Sequence, residues 1–402
     1  MQLGWIDFSK TERSKILSVL DLLQENGTLD ELGIALIRDG FSNIFFPGTS
    51  TIQTRAKYFL IVPYALKDLE RSREANPNVL RRTLDEIERE CGERLLEQNK
   101  EEPGIIGKRS LLGGRWVKRA PVEVYWSGLR QYGIFSGGNL TLTEYLRISC
   151  GLKNRKSTLK KLGNRNDNAE ENECDDRDAG STGSYQFWNL PDYSPSWFDK
   201  LEMRLNPVEA QFLKKQIVTN YPDSMLGYIL RENVTQALAC ENFDELGQWI
   251  SGFPEQIQSD YELALAFSHF LYIVRVAYNI IVSDGKNAEA NSEYELIRPH
   301  FEKEASVDLD RVISRAGVSG NVALCKFLHT AKDCILADDF DGLCKCIKDR
   351  EIFLKGAGRA KTAHPGEFDA NAWFGGGYLD YRFPNAKTIV QDIFESEVTD
   401  HA

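Results

Sequence analysis

The chain has 402 residues, 42% of them hydrophobic and 27% charged, with a formal net charge of −11. That is the composition of a globular protein, and it excludes a disordered one; the length suffices for two or three domains with sizeable cores. The N-terminus, MQLGWIDFSKTERSK, has charged residues where a signal peptide needs an apolar run, and apolar stretches such as Phe59 to Leu66 are far shorter than the roughly 20 residues that span a bilayer, so we expect a cytoplasmic protein without a membrane partner.

Helices dominate the first segment. Asp7 or Ser9 is placed to cap a helix running to Leu23, with Ile16, Leu17, Leu20 and Leu23 on one face, and Gly27 ends it. Asp30-Glu31-Leu32 opens a second helix. Pro47-Gly48 makes a turn, after which Thr49 or Ser50 is expected to cap a helix containing Gln53, Arg55 and Tyr58. Leu80 to Gln98 reads as a charged helix with Leu84, Cys91 and Leu95 facing inward.

A second segment begins at Pro103-Gly104. Val122 to Tyr132 has helical spacing and stops at Gly133; Ile134-Phe135, Ser136 to Asn139 and Leu140-Thr141-Leu142 then read as a short hairpin. A helix followed by a hairpin is the outline of a winged helix. Asn164 to Gly183 loses all apolar periodicity and reads as an exposed linker. Beyond Tyr185, helices are expected to about Arg359, among them a central core helix over Leu263 to Ile281 that is apolar nearly all round. After Gly375-Gly376-Gly377, the alternation in Tyr378 to Phe383 predicts one strand, and Asn385 to Phe394 a closing helix. The expected fold is mostly α (α+β): a multi-domain helical protein with a winged-helix-like segment and a short C-terminal strand. Its expected domains are residues 1–102, a basic domain 103–163, an acidic linker 164–184 and a helical domain 185–402.

The eight cysteines are scattered with no CxxC, which points to free thiols in a reducing compartment and away from a zinc site. His269, His300, His329, His364 and His401 stand far apart in no metal-ligand spacing, and we expect no metal and no cofactor. Neither GxSxG nor HExxH occurs, so no catalytic residue is assigned. Asp7, Asp30, Glu31 and Asp39 cluster in sequence. They leave a metal-dependent nuclease as one alternative, against helix caps and first-turn charges as the plainer one.

Charge is the most informative pattern. From Gly104 to Arg165 there are 13 lysines and arginines against only Glu123 and Glu144, a segment of +11 in a chain of −11. Such a block suits phosphate binding, because neutralised phosphates release counterions. We assign nucleic-acid contact, to DNA foremost, to Lys108, Arg109, Arg115, Lys118, Arg119, Arg130, Lys153, Arg155, Lys156, Lys160 and Lys161, with Trp116, Tyr125, Trp126 and Tyr132 placed to stack on bases. Asn166 to Ala179 carries −6; it reads either as a plain disordered connection or as a segment that folds back and masks the basic stretch until nucleic acid competes. A second candidate is a phosphate site at Thr49, Ser50 and Thr51 with Arg55 and Lys57 behind, formed by free amides at a helix start. Its alternative is a structural ion pair of Arg55.

The stretches Leu3-Gly4-Trp5-Ile6-Asp7-Phe8-Ser9 and Phe46 to Phe59 (FPGTSTIQTRAKYF), with Val124 to Ile134 and Leu379 to Phe383 further on, resemble an uncharacterised bacterial family often encoded in anti-phage defence clusters. Lys57 stands where that family more often has arginine. The resemblance implies a defence setting and other defence proteins as partners, and it assigns no residue a role. Together with the charge pattern it leads us to expect a non-catalytic nucleic-acid-binding or accessory subunit. The alternatives are the nuclease and a protein–protein scaffold that contacts no nucleic acid.

Overall fold

The computed structural model describes residues 30–163 and 186–398, and the side chains of 30–155 and 186–397. The helix expected from Asp7, the acidic run with its masking role, and the side chains of Lys156, Lys160, Lys161 and His401 lie outside the described residues. The chain is mostly helical. In order, the helices are α1 (Ala35–Phe45), α2 (Tyr58–Arg71), α3 (Pro77–Gln98), α4 (Lys108–Leu112), α5 (Pro121–Gln131), α6 (Leu142–Gly163), α7 (Pro207–Asn220) and α8 (Met225–Glu232). They continue with α9 (Glu255–Val282), α10 (Ala288–Ile297), α11 (Phe301–Glu304), α12 (Leu309–Arg315), α13 (Val322–Leu336), α14 (Phe340–Lys355) and α15 (Phe383–Val398).

Two compact units result, each assembled from distant segments. The first takes residues 30–46, Asp223–Met225 and Val234–Pro384; the second takes the described part of Pro47–Pro222, with Leu226–Asn233 and 385–398.

The first unit is built on α9. Its side chains are apolar on almost every face, so a single helix must be covered from several directions, and α1, α10, α12 and α14 do this. Among the described helices α9 is long and apolar enough to cross a membrane by length and composition alone, a test that a buried core helix also passes, so it is longer than the apolar stretches weighed from sequence. Here 61% of its most apolar window is buried by protein. The polar groups it carries inward are satisfied: Asp260 takes a two-pronged bond from Arg315 at 2.7 Å on each oxygen, and Asn279 accepts from the Phe374 amide at 2.7 Å. Beside it Phe41, Phe45, Phe243, Tyr261 and Tyr381 pack as a ring cluster with neighbouring centroids 4.9–6.1 Å apart. Each buried ring of this kind contributes about 1.5–3 kcal/mol.

The second unit centres on α2, whose residues Tyr58 to Leu66 are all buried, packed by α3 and α5. Asn76 caps α3, and Pro77 at its first position has no amide to leave unpaired. α4 and α6 pack in turn on α3.

Three expected elements are absent among the described residues. No hairpin follows α5: Phe135 pairs with Trp188 as an isolated antiparallel bridge, with Ser136 donating to Phe187 O at 2.8 Å and Asn189 to Ile134 O at 2.9 Å. The residues taken for its second strand are a helix start, because Thr141 and Glu144 form a capping box: the Thr141 amide donates to Glu144 Oε2 at 2.8 Å and the Glu144 amide to Thr141 Oγ1 at 3.2 Å. The winged-helix outline loses its wing with it. Nor is there a strand over Tyr378 to Phe383, where Tyr381 (φ 47°) and Arg382 (φ 69°) are left-handed and break extended pairing. Tyr381, Arg382 and Phe383 are all buried in succession, where a strand would alternate. Finally, no helix starts at Thr49; the chain turns until Tyr58, with Ser50 donating its amide to Gln53 Oε1 at 3.2 Å.

Candidate functional site

The phosphate candidate at Thr49 to Lys57 is already filled by the protein's own groups. Tyr125 Oη accepts the amides of Thr54 (2.9 Å) and Arg55 (3.0 Å), and Asp392 accepts that of Ala56 at 2.7 Å. Arg55 clasps Asp392 through Nε at 2.9 and 3.0 Å and bonds Glu102 through Nη1. Lys57 Nζ donates to Glu209 Oε2 at 2.6 Å, with both side chains buried. Thr49 is buried, Thr51 is exposed, and the Ser50 hydroxyl is buried without a partner among the described residues. An incoming phosphate would have to displace three carboxylates, Asp392 and Glu102 from Arg55 and Glu209 from Lys57.

Of the carboxylates considered for a nuclease, Asp7 lies outside the described residues and the other three are likewise engaged. Asp30 accepts the amides of Ile34 and Ala35 at 2.8 and 2.7 Å and so caps the entry to α1. Glu31 is held by Lys355 and Lys361, and Asp39 lies between Arg38 (3.1 Å) and Arg382 (3.2 Å). Burial, reinforced by the neighbouring Lys361, pushes the Lys355 ammonium down to about 8. No group of three or more acidic, histidine or cysteine side chains that could hold a metal ion occurs among the described residues.

The basic segment divides into internal and outward-facing cations. Lys153 is internal in function: its Nζ donates to Leu69 O (2.6 Å) and Glu74 O (2.8 Å), capping the last turn of α2, and burial lowers its pKa. Lys108 reaches Glu102 O at 3.3 Å, and Arg130 reaches Asn139 at 3.4 Å. Arg109, Arg115 and Lys118 are exposed and Arg119 is half-buried; among the described residues none of the four has a side-chain ion pair or hydrogen bond. Arg147 and Arg155 lie two turns apart on one exposed stripe of α6, with Gly151 between them.

Local packing explains how the segment 108–119 is presented. Gly107 adopts φ +78° just before α4, and a Cβ there would meet Val117 Cγ1 at 2.6 Å. A Cβ at Gly92 of α3 would likewise meet Leu111 Cδ1 at 2.8 Å, with the Trp116 ring at 3.8 Å. These apolar side chains pin the loop from beneath, and the charged ones are left outside. The aromatics expected to stack on bases are pins too: Tyr125, Trp126 and Tyr132 are buried, and Trp116 is half-buried.

Sequence reasoning missed a second feature, in the first unit. A cavity of about 170 Å³ is lined by His269, Tyr272, Ile273, His300, Glu304 and Tyr378, with Leu296, 66% exposed, at its mouth. His269 Nδ1 and Glu304 Oε2 are 2.6 Å apart, and Tyr272 Oη donates to Glu293 at 3.0 Å. The Tyr272 and Tyr378 rings stack at 4.2 Å, and His269 lies 5.1 Å from Tyr378. Tyr378 owes its place to the triple glycine: Gly375 and Gly376 have φ +82° and +75°, and Trp373 Nε1 and Arg275 Nη1 hold the Gly376 and Gly377 carbonyls. The fold thus brings together His269 and His300, which the sequence separates, without making a metal centre of them. The only sequence signal was the helical register of His269, Tyr272 and Ile273.

Compared with known families, residues 1–166 match the model of a family of unknown function (DUF6361), which supports an uncharacterised domain over that stretch. The match includes the segment 108–119 and stops short of Leu379 to Phe383. No curated protein and no solved structure matches the chain.

Proposed function

We propose that this protein is a non-catalytic nucleic-acid-binding or accessory subunit acting in the cytoplasm, and that it grips the phosphate backbone with Arg109, Arg115, Lys118 and Arg119. The observation that carries this reading is that these four cations have no ion-pair or hydrogen-bond partner among the described residues. Elsewhere in the described chain arginines are mostly consumed: Arg81, Arg89, Arg94, Arg298 and Arg315 all pair with carboxylates. Four cations within eleven residues, unpaired among the described residues of a chain of −11, form a cluster of the kind that attracts polyphosphate. Arg147 and Arg155, exposed on α6, are further cations of the same basic segment. With Tyr125, Trp126 and Tyr132 buried, the expected contact is to the backbone and not to bases, so weak sequence preference follows. The anti-phage setting, and defence proteins as further partners, rest on the family resemblance of the N-terminal motifs.

A second reading, a protein partner with an acidic face, draws on Leu112, which is 62% exposed in the middle of the same segment. Mobility shifts with double-stranded DNA, single-stranded DNA and RNA test both. Retention that is lost when Arg109, Arg115, Lys118 and Arg119 are all changed to Gln supports the proposal. Retention of no nucleic acid by the unaltered chain overturns it in favour of the protein partner, and metal-dependent cleavage overturns its non-catalytic part.

A further inference from the structure

The cavity beside α9 has a composition that selects its occupant. Among its lining residues there is no lysine and no arginine, so a phosphate or carboxylate ligand finds no counter-charge there. Negative potential comes instead from Glu304 in the wall, through the oxygen not engaged by His269 Nδ1, and from Glu293, bonded to Tyr272 Oη at 3.0 Å. The nearest arginine on α9, Arg275, is turned to the Gly377 carbonyl. Burial, followed by the Glu293 hydrogen bond, raises the Tyr272 hydroxyl, and burial also raises that of Tyr378, so both rings stay neutral phenols. A stack of electron-rich rings beside carboxylates is the environment that attracts organic cations. Ile273, buried, and Leu296 at the mouth supply apolar surface for the body of such a ligand.

We infer that this cavity binds an alkylammonium group, held between the Tyr378 ring and the Glu304 carboxylate. The donor set argues against an inorganic cation, since no group of three metal-ligating side chains forms among the described residues. This inference is independent of the nucleic-acid reading and concerns the other unit.

Isothermal titration of the full chain with choline tests it. A parallel titration uses n-butylammonium, which stands for a lysine side chain, and a third uses 3,3-dimethylbutan-1-ol, the uncharged carbon analogue of choline. The expected result is binding of at least one ammonium and none of the neutral alcohol, with Tyr378→Ala and Glu304→Gln each weakening it by roughly 2- to 30-fold. Choline favoured over butylammonium identifies a free quaternary ligand; the reverse identifies a lysine from a partner. Equal binding of the neutral alcohol, no binding of either ammonium, or full affinity in Tyr378→Ala overturns the inference. Tyr378 is 52% exposed, so Tyr378→Ala is expected to fold, and its thermal unfolding is compared with the unaltered chain.

Discussion

Lys153 and Glu88 make opposite use of charge inside the second unit. The Lys153 ammonium closes the end of α2 by donating to two carbonyls, so Lys153→Met is expected to lower stability by about 1–3 kcal/mol in urea unfolding while leaving nucleic-acid retention unchanged. A loss of retention at full stability would return Lys153 to the binding surface. Glu88 is 1% exposed; its Oε1 accepts the Val122 amide at 2.7 Å, capping α5, and its Oε2 has no partner among the described residues. Burial raises its pKa well above the ordinary carboxylate range. A carboxyl raised on folding contributes stability that is complete below its unfolded pKa, about 4.3, and is lost as pH climbs towards the folded value. Glu88→Gln keeps an acceptor for Val122 and removes that loss. Relative to the unaltered chain the variant should therefore gain stability from pH 5 to pH 8, whereas parallel curves would mean that Glu88 is charged throughout.

At the scale of elements, what the chain declares about itself depends on whether neighbours or partners decide. The core helix α9 was readable because 18 apolar residues spread over nearly every angle leave one solution, and α3 because Leu84, Cys91 and Leu95 share a face. The supposed hairpin was not readable as such: Gly137-Gly138-Asn139 suggests a turn, but Thr141-Leu142-Thr143-Glu144 is a capping box, and it decides that the chain leaves the turn as α6. Thr141→Ala should cost about 0.5–2 kcal/mol, measured by chemical unfolding, and no cost would deny the cap its role. Tyr378 to Phe383 alternates in sequence, yet Tyr381 donates to Ala264 O at 2.6 Å and Leu379 to Ser268 Oγ at 2.7 Å; these tertiary bonds, distant in the chain, override the pattern. The same blindness to distance hid the cavity, whose walls come from α9, α10, α11 and the glycine loop. It also hid the carboxylates that occupy Arg55 and Lys57, since Asp392 and Glu209 are far from them in sequence.

For the whole molecule, the basic segment keeps its importance and loses part of its membership. Counting charges along the chain treated thirteen cations alike; burial and pairing withdraw Lys153 from the surface and reserve the aromatics for the core, while Arg109, Arg115, Lys118 and Arg119 stay outside and unpaired among the described residues. Affinity generated in this way is counterion release, which sets a definite salt dependence. The decisive measurement is fluorescence anisotropy of a labelled DNA duplex at several salt concentrations between about 50 and 200 mM, for the unaltered chain and for the variant with these four residues changed to Gln. We predict a linear fall of log affinity with log salt, with a slope that flattens by about 3 to 4 in the variant. An identical slope in both proteins, or no salt-dependent binding by the unaltered chain, would contradict the account.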